Sequence, residues 1–231
     1  VRLTAPHDEV TDEKRVTRAD GRRVLEIDGR PAYEAYRAWS GLGGALPEPA
    51  AACAPLSLLA GTTLHPLGVP HKDARGRACY RLLHPSHAVP LAGLTPSGEG
   101  HGLELFARAE PGDRLVVMHT RSRDTLARAA GEAVRLAVPA ATLERAAGAL
   151  VVYCGGCAMG IGAERLPVAI GQLAEGLRGA PFATQFTLGE MGPCAFVGVE
   201  GEERRVADEQ CNLMLNLLVF GSEPQERASA V

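Results

Sequence analysis

The sequence predicts a mixed α/β or α+β fold: a layered sheet of mixed parallel and antiparallel strands with helices packed on it. Three observations carry this. Short apolar runs bounded by Gly and Pro alternate with helix-periodic stretches from Leu103 to Phe220. Pro66, Pro70, Pro85, Pro90 and Pro96 exclude long helices from residues 41–102. Apolar residues make up 46% of 231, which supplies a sizeable core in one large domain or two small ones.

In chain order, residues 1–22 are polar, with a charge run at Asp12, Glu13, Lys14 and Arg15, and read as a solvated arm or edge. Val24–Gly29 reads as a strand ending in an Asp-Gly turn. Pro31 suits the first position of a short helix carrying Tyr33, Tyr36 and Trp39 and stopping before Gly41. Short strands are expected near Leu56–Leu59, Cys79–Leu83 and Val89–Leu91. Leu103–Ala107 and Arg114–Met118 flank Glu110-Pro111-Gly112-Asp113, which is hairpin chemistry. Ser122 can cap a helix to Ala137 whose inward stripe is Leu126, Ala130, Ala133 and Ala137, and a second helical piece spans Ala140–Ala147. Leu150–Cys154 reads as a buried strand and Gly155–Gly160 as a tight loop. Leu166, Ile170, Leu173 and Leu177 give the next helix its apolar face, with Pro167 in its first turn. Phe182–Leu188 is then a strand, Gly189–Pro193 a sharp turn, and Ala195–Val199 and Asn212–Phe220 further strands. The tail from Ser222 is polar and expected to fray.

Composition narrows the function. Lys and Arg total 24 against 27 Asp and Glu, a net charge of −3, without the basic face of a nucleic-acid binder. No apolar stretch approaches the roughly 18–20 residues of a membrane span, so no membrane insertion is expected. No apolar leader is visible, and the six cysteines are too few for a disulfide-built fold, which reads as a cytoplasmic protein with reduced thiols. The first residue is Val, as in a fragment or processed piece.

The sharpest local feature is Cys154-Gly155-Gly156-Cys157, at a strand end and near a helix start. The residues alone leave three readings open: a redox pair, half of a zinc site with Cys194 and Cys211, or two small buried side chains beside a glycine turn. Phe186-Thr187-Leu188-Gly189-Glu190 is the second feature, placing Glu190 at a loop mouth as a ligand-holding or merely solvated carboxylate. His65, His71, His84 and His87 lack metal-ligand spacing, and His119 is a lone candidate ligand or base. Gly-x-Ser-x-Gly, His-Glu-x-x-His and the phosphate-binding glycine loops are absent, so no catalytic residue is assigned.

Taken in order, Tyr153–Ala158, Pro181-Phe182, Phe186–Glu190, Asn212-Leu213-Met214 and Val219-Phe220-Gly221 resemble the C-terminal half of FIST proteins. In one branch these stretches read Cys-Ala-Gly-Cys, Pro-Phe, Phe-Thr-Phe-Gly-Glu and His-Gly-Asn-Leu-Met. Val24–Tyr36 and His65-Pro66-Leu67-Gly68 are similar to earlier parts of the same half. The resemblance implies a FIST C-like domain over residues 21–221, the end of an N-terminal FIST half in residues 1–20, and a disordered tail over 222–231. It implies a sensory domain rather than an enzyme, working with an N-terminal FIST half and a histidine kinase, diguanylate cyclase or chemotaxis receptor. Its ligand would be a small molecule such as an amino acid, held by Cys154, Cys157, Thr187, Gly189, Glu190 and Asn212. The cofactor is left unassigned. Some relatives sense nitric oxide through haem, but Cys211 stands here where the branch has His-Gly, which removes one imidazole a haem could use. A cysteine-based redox or electrophile sensor, a haem sensor using His119, and an enzyme with Glu190 as base and Cys154 as nucleophile are the rival readings.

Overall fold

A computed structural model describes residues 2–4, 8–9, 12–48, 54–72, 78–188, 190–197 and 203–221. The first strands are β1 (Arg2–Thr4), β2 (Asp8–Glu9), β3 (Lys14–Asp20), β4 (Arg23–Ile27) and β5 (Arg30–Pro31), followed by α1 (Ala32–Trp39). The β4–β5 turn puts Asp28 at φ 49° and Gly29 at φ 72°. Both central residues of a type I′ hairpin need positive φ, and Asp-Gly tolerates it. Helix α1 starts one residue later than expected, with Pro31 as its N-cap and not its first residue, and it buries Tyr33 and Tyr36 completely. Their hydroxyls donate to the carbonyls of Pro47 and His65.

The proline-rich middle forms β6 (Leu56–Ser57), α2 (Leu59–Thr62), β7 (Leu67–Lys72), β8 (Ala78–Leu83) and β9 (Pro85–Pro90), then β10 (His101–Leu105) and β11 (Arg114–His119). β7 and α2 went unread in the sequence. The first ten of the strands named so far other than β1 form one large sheet in the order β6-β9-β10-β4-β3-β11-β7-β8, with β2 added on β11 and β5 on β4. Two expectations are corrected here. β10 and β11 are not a hairpin, because the β3–β4 pair is inserted between them. The Glu110–Asp113 turn instead reaches over β3, with Val16 N donating to Asp113 O and Gly112 N to Val16 O. Residues 14–20 are likewise an internal strand rather than a solvated arm. Val16 is buried, and the charged neighbours point outward into Lys14–Asp28 and Glu13–Arg114 pairs.

The large sheet separates two cores by its period of two. Leu67, Leu83, Leu115 and Val117 face α1 and its two tyrosines. Leu82, Val116 and Met118 face the other way, toward α3 (Arg123–Ala137). Ser122 caps α3 by accepting from the Thr125 N–H. Next come α4 (Ala140–Glu144), β12 (Ala146–Cys154), α5 (Gly155–Ile161), α6 (Leu166–Gly176), β13 (Phe182–Thr187), β14 (Glu190–Val197), β15 (Glu203–Cys211) and β16 (Met214–Gly221). α4 is shorter than expected because Ala146 already belongs to β12. A second sheet runs β1-β16-β12-β13, with β12 and β13 parallel and the other pairs antiparallel. The mixed fold class is therefore as the sequence predicted.

Helices α3 and α6 cover one face of this second sheet, burying Val151 and Tyr153 of β12 with Leu215 and Leu217 of β16. Leu150, Leu218 and Phe220 on the other face are exposed, so β12 is half-buried, not fully buried. α5 replaces the expected loop, and β14 takes in residues 190–193 of the expected Gly189–Pro193 turn. A register shift between Gly192 and Cys194 lets Pro193, which has no N–H to give, sit in a two-stranded pair with β15. The Glu200-Gly201 turn and the tail from Ser222 lie outside the described residues.

Candidate functional site

The parallel pair fixes the site. Cys154 closes β12 and Thr187 closes β13, and the two are register partners. Strand carboxyl ends in α/β sheets leave a crevice that the following loops complete. Here α5 leaves β12 at once, and its glycines allow close approach. A Cβ on Gly155 would lie 3.0 Å from the Thr187 carbonyl and 3.1 Å from Leu188 Cδ2. One on Gly156 would lie 3.1 Å from Leu213 Cδ2 and 3.2 Å from His84 Nδ1. Two larger residues at these positions would push the helix off the strands.

The opposite wall comes from the large sheet. His84 follows β8 and is buried, with Nε2 3.2 Å from Thr63 Oγ1. Its ring meets Phe106 with centroids 5.4 Å apart. Its backbone N–H donates to Asn212 Oδ1 at 2.9 Å, a bond spanning 128 residues of sequence. Asn212 is buried and occupies the short connection from β15 to β16, beside Leu213 at φ 55°. Between these walls lies a shallow cleft, open to solvent, with an enclosed volume of only about 10 Å³, room for about one water molecule. Cys154, Gly156 and Met159 line it on one side, His84 and Phe106 on the other, with Leu188 and Asn212 at its ends.

Of the six residues expected at the site, the structure brings Cys154 and Asn212 into the cleft and sets Thr187 beside Cys154. Cys157 is buried in the core one turn along α5, and both cysteines are thiols rather than a disulfide. Gly189 and the side chain of Glu190 lie outside the described residues; the Glu190 backbone opens β14 opposite Cys211. The Asn212 side-chain oxygen also links the two sheets, by accepting from the His84 N–H. The sequence missed His84 as a wall, together with Phe106, Met159 and Leu188. Met159 and Leu188 carried a signal, each lying within one of the two motifs; Phe106 carried none.

Tyr153, on the last turn of β12 toward the site, is packed on Phe186, and burial, then the two neighbouring cysteines, pushes its phenol above the ordinary range. It stays a neutral hydroxyl, which excludes it as a base at neutral pH. His119, the candidate haem ligand, has Nδ1 3.2 Å from His65 Nδ1 and does not line the cleft. Among the described residues no group of three or more His, Cys, Asp and Glu is placed to hold a metal, and no helix is long and apolar enough to cross a membrane.

No curated protein and no solved structure matches the chain. The family model of the FIST C domain does match, over residues 32–193, a span that runs from α1 through the Cys154–Cys157 segment and β13. That is well over half of the sequence, and it bears out the family read from the motifs. The chain belongs to the FIST C domain family, a family of signal-transduction sensory domains.

Proposed function

We propose that the protein is a signal-input module that binds a small molecule in the cleft between Cys154, His84 and Asn212. The observation that supports this is the position of the cleft. It lies on the seam between the large and small sheets, where a ligand touches elements of both. A molecule that binds one arrangement of the two sheets better than another shifts their populations by its differential affinity, about 1.4 kcal/mol for each factor of ten. In the working assembly an N-terminal FIST half adjoins the domain, and a histidine kinase, diguanylate cyclase or chemotaxis receptor carries the output.

The test is thermal denaturation of the protein, with and without an added N-terminal FIST half, against amino acids and other small metabolites. A ligand present at a hundred times its Kd stabilises by about 2.7 kcal/mol. For a chain of this size that raises Tm by roughly 5–10 °C. A panel in which no compound raises Tm, in either form, overturns the proposal.

A further inference from the structure

We propose that His65 and His119 form a chelate for a divalent late transition-metal ion such as zinc, at a place apart from the cleft and independent of the reading above. The β7–β11 ladder continues beyond the two strands: Met118 N donates to Pro66 O at 2.8 Å and Thr120 N to Leu64 O at 3.1 Å. Carrying the Val117↔Leu67 register two residues further sets His119 directly opposite His65. The flanking residues carry the backbone bonds, so the histidines fall at the intervening non-hydrogen-bonded position, where cross-strand side chains stand closest. A sequence separation of 54 hides this pair from any reading of ligand spacing.

The rings converge toward a common third atom. Their Nδ1 atoms are 3.2 Å apart, with centroids 4.6 Å apart and planes inclined by 31°. Two imidazoles bound through Nδ1 to one tetrahedral ion at about 2.0–2.1 Å place their nitrogens roughly 3.3 Å and their centroids roughly 5 Å apart. A head-on N–H···N bond of similar length instead holds the centroids roughly 5.5 Å apart. The observed rings lean side by side, nearer the chelate than the head-on bond. The backbone beneath them is already fixed. His65 N donates to Thr62 O, and His65 O accepts the Tyr36 hydroxyl, so little ordering remains to be done on binding. Both residues are half-buried rather than sealed in a core. Imidazole nitrogen suits zinc and its neighbours, whereas magnesium and calcium prefer oxygen. On binding, the ion gives up two of its waters. The ring that carries a proton on Nδ1 releases it to solvent and takes one from solvent at Nε2, so both Nδ1 lone pairs bond to the ion and the net proton count is unchanged. The pair supplies two ligands, and water can take the remaining positions.

The test titrates zinc chloride into the full chain labelled with ¹³C,¹⁵N-histidine, its thiols kept reduced, and follows the ring signals of the seven histidines by NMR. The proposal expects one ion per chain to move the His65 and His119 rings together and saturably, with the Nδ1 shifts marking them as the bound atoms. His65→Gln and His119→Gln should each weaken binding roughly tenfold or more. His87→Gln, on β9, should leave it unchanged. Should a glutamine variant not fold, the wild-type titration decides alone, because ring signals correlated with the backbone identify both histidines. Zinc that leaves both Nδ1 signals unmoved, that is taken up by the cysteine thiols only, or that binds equally well to either glutamine variant overturns the proposal. So does a shift confined to one ring, which marks a single ligand rather than a chelate.

Discussion

Replacing Asn212 by alanine tests whether one side chain ties the two sheets together. The Asn212 side-chain oxygen accepts the His84 N–H at 2.9 Å, and both residues are all but inaccessible. Alanine removes the acceptor and leaves a buried backbone donor without it. An unsatisfied buried donor costs about 1–3 kcal/mol, beyond the roughly 1 kcal/mol that a typical hydrogen bond contributes. Small losses of packing against Leu213 add to this, so about 2–3 kcal/mol is expected, a Tm lower by roughly 4–10 °C. Asn212→Asp is the partner variant. Its carboxylate still accepts from His84, so at neutral pH it retains more of the stability than alanine does. Urea denaturation of the three proteins, with equal m-values as the check on two-state behaviour, gives the comparison. An alanine variant within 0.5 kcal/mol of wild type, or an aspartate variant no better than alanine, refutes the tether.

The remaining predictions concern packing and charge. Gly160→Ala sets a Cβ 2.5 Å from Thr63 Cγ2, and Thr63 cannot turn away without leaving His84, so a loss of about 1–3 kcal/mol is expected by thermal or urea unfolding. Gly131→Ala drives a Cβ to 2.8 Å from the Gln172 carbonyl where α3 meets α6, and backbone cannot yield as a side chain does; unfolding assays should show a net loss of about 1–2 kcal/mol after the helix-propensity gain. Gly171→Ala on α6 meets nothing within 4 Å and should stabilise by up to about 1 kcal/mol, so equal losses at both helical glycines would refute the packing argument. The Arg15 N–H, and then Lys14, hold the Asp28 carboxyl below its ordinary range, so its contribution is present above the unfolded value near 3.8 and is lost as pH falls through the lower folded value. Asp28→Asn keeps an Asn-Gly turn, so the stability gap between the two proteins, measured by denaturation at several pH values, should narrow on acidification through that range; a gap that widens would contradict the sign.

Elements governed by local chemistry were legible in the sequence. The Asp28-Gly29 turn, the Ser122 cap and Pro167 in the first turn of α6 are each decided within a few residues, and each stands where it was read, while Pro31 falls one position outside α1, at its N-cap. The failures share a cause. Glu110–Asp113 has hairpin chemistry, yet its flanking strands are parted by β3 and β4, because the partners of β10 and β11 are fixed by residues some eighty to a hundred positions earlier. Lys14 and Arg15 read as solvated because only Val16 among their neighbours reports the buried face. Gly155–Gly160 read as a loop because glycine disfavours helix, whereas in α5 the missing side chains are what let the helix lie against Thr187, His84 and Thr63. Tertiary contact there outweighs a propensity of about 1 kcal/mol per residue. The same distinction holds at the site: the Cys154 and Phe186–Leu188 segments were visible as motifs, while His84 and Phe106 arrive from the other sheet.

That division bears on the sensory site proposed at this seam. Each core is held by a continuous set of buried apolar side chains, and opening either one exposes them together. One of these cores crosses the seam, joining Leu82, Val116 and Met118 of the large sheet to Leu215 and Leu217 of β16. At its rim the glycines of α5 and the hydrogen bond from His84 to Asn212 also link the sheets. A ligand at the proposed site would act on that rim, where losing the bond costs about 1–3 kcal/mol, and the packed interior would hold the sheets together.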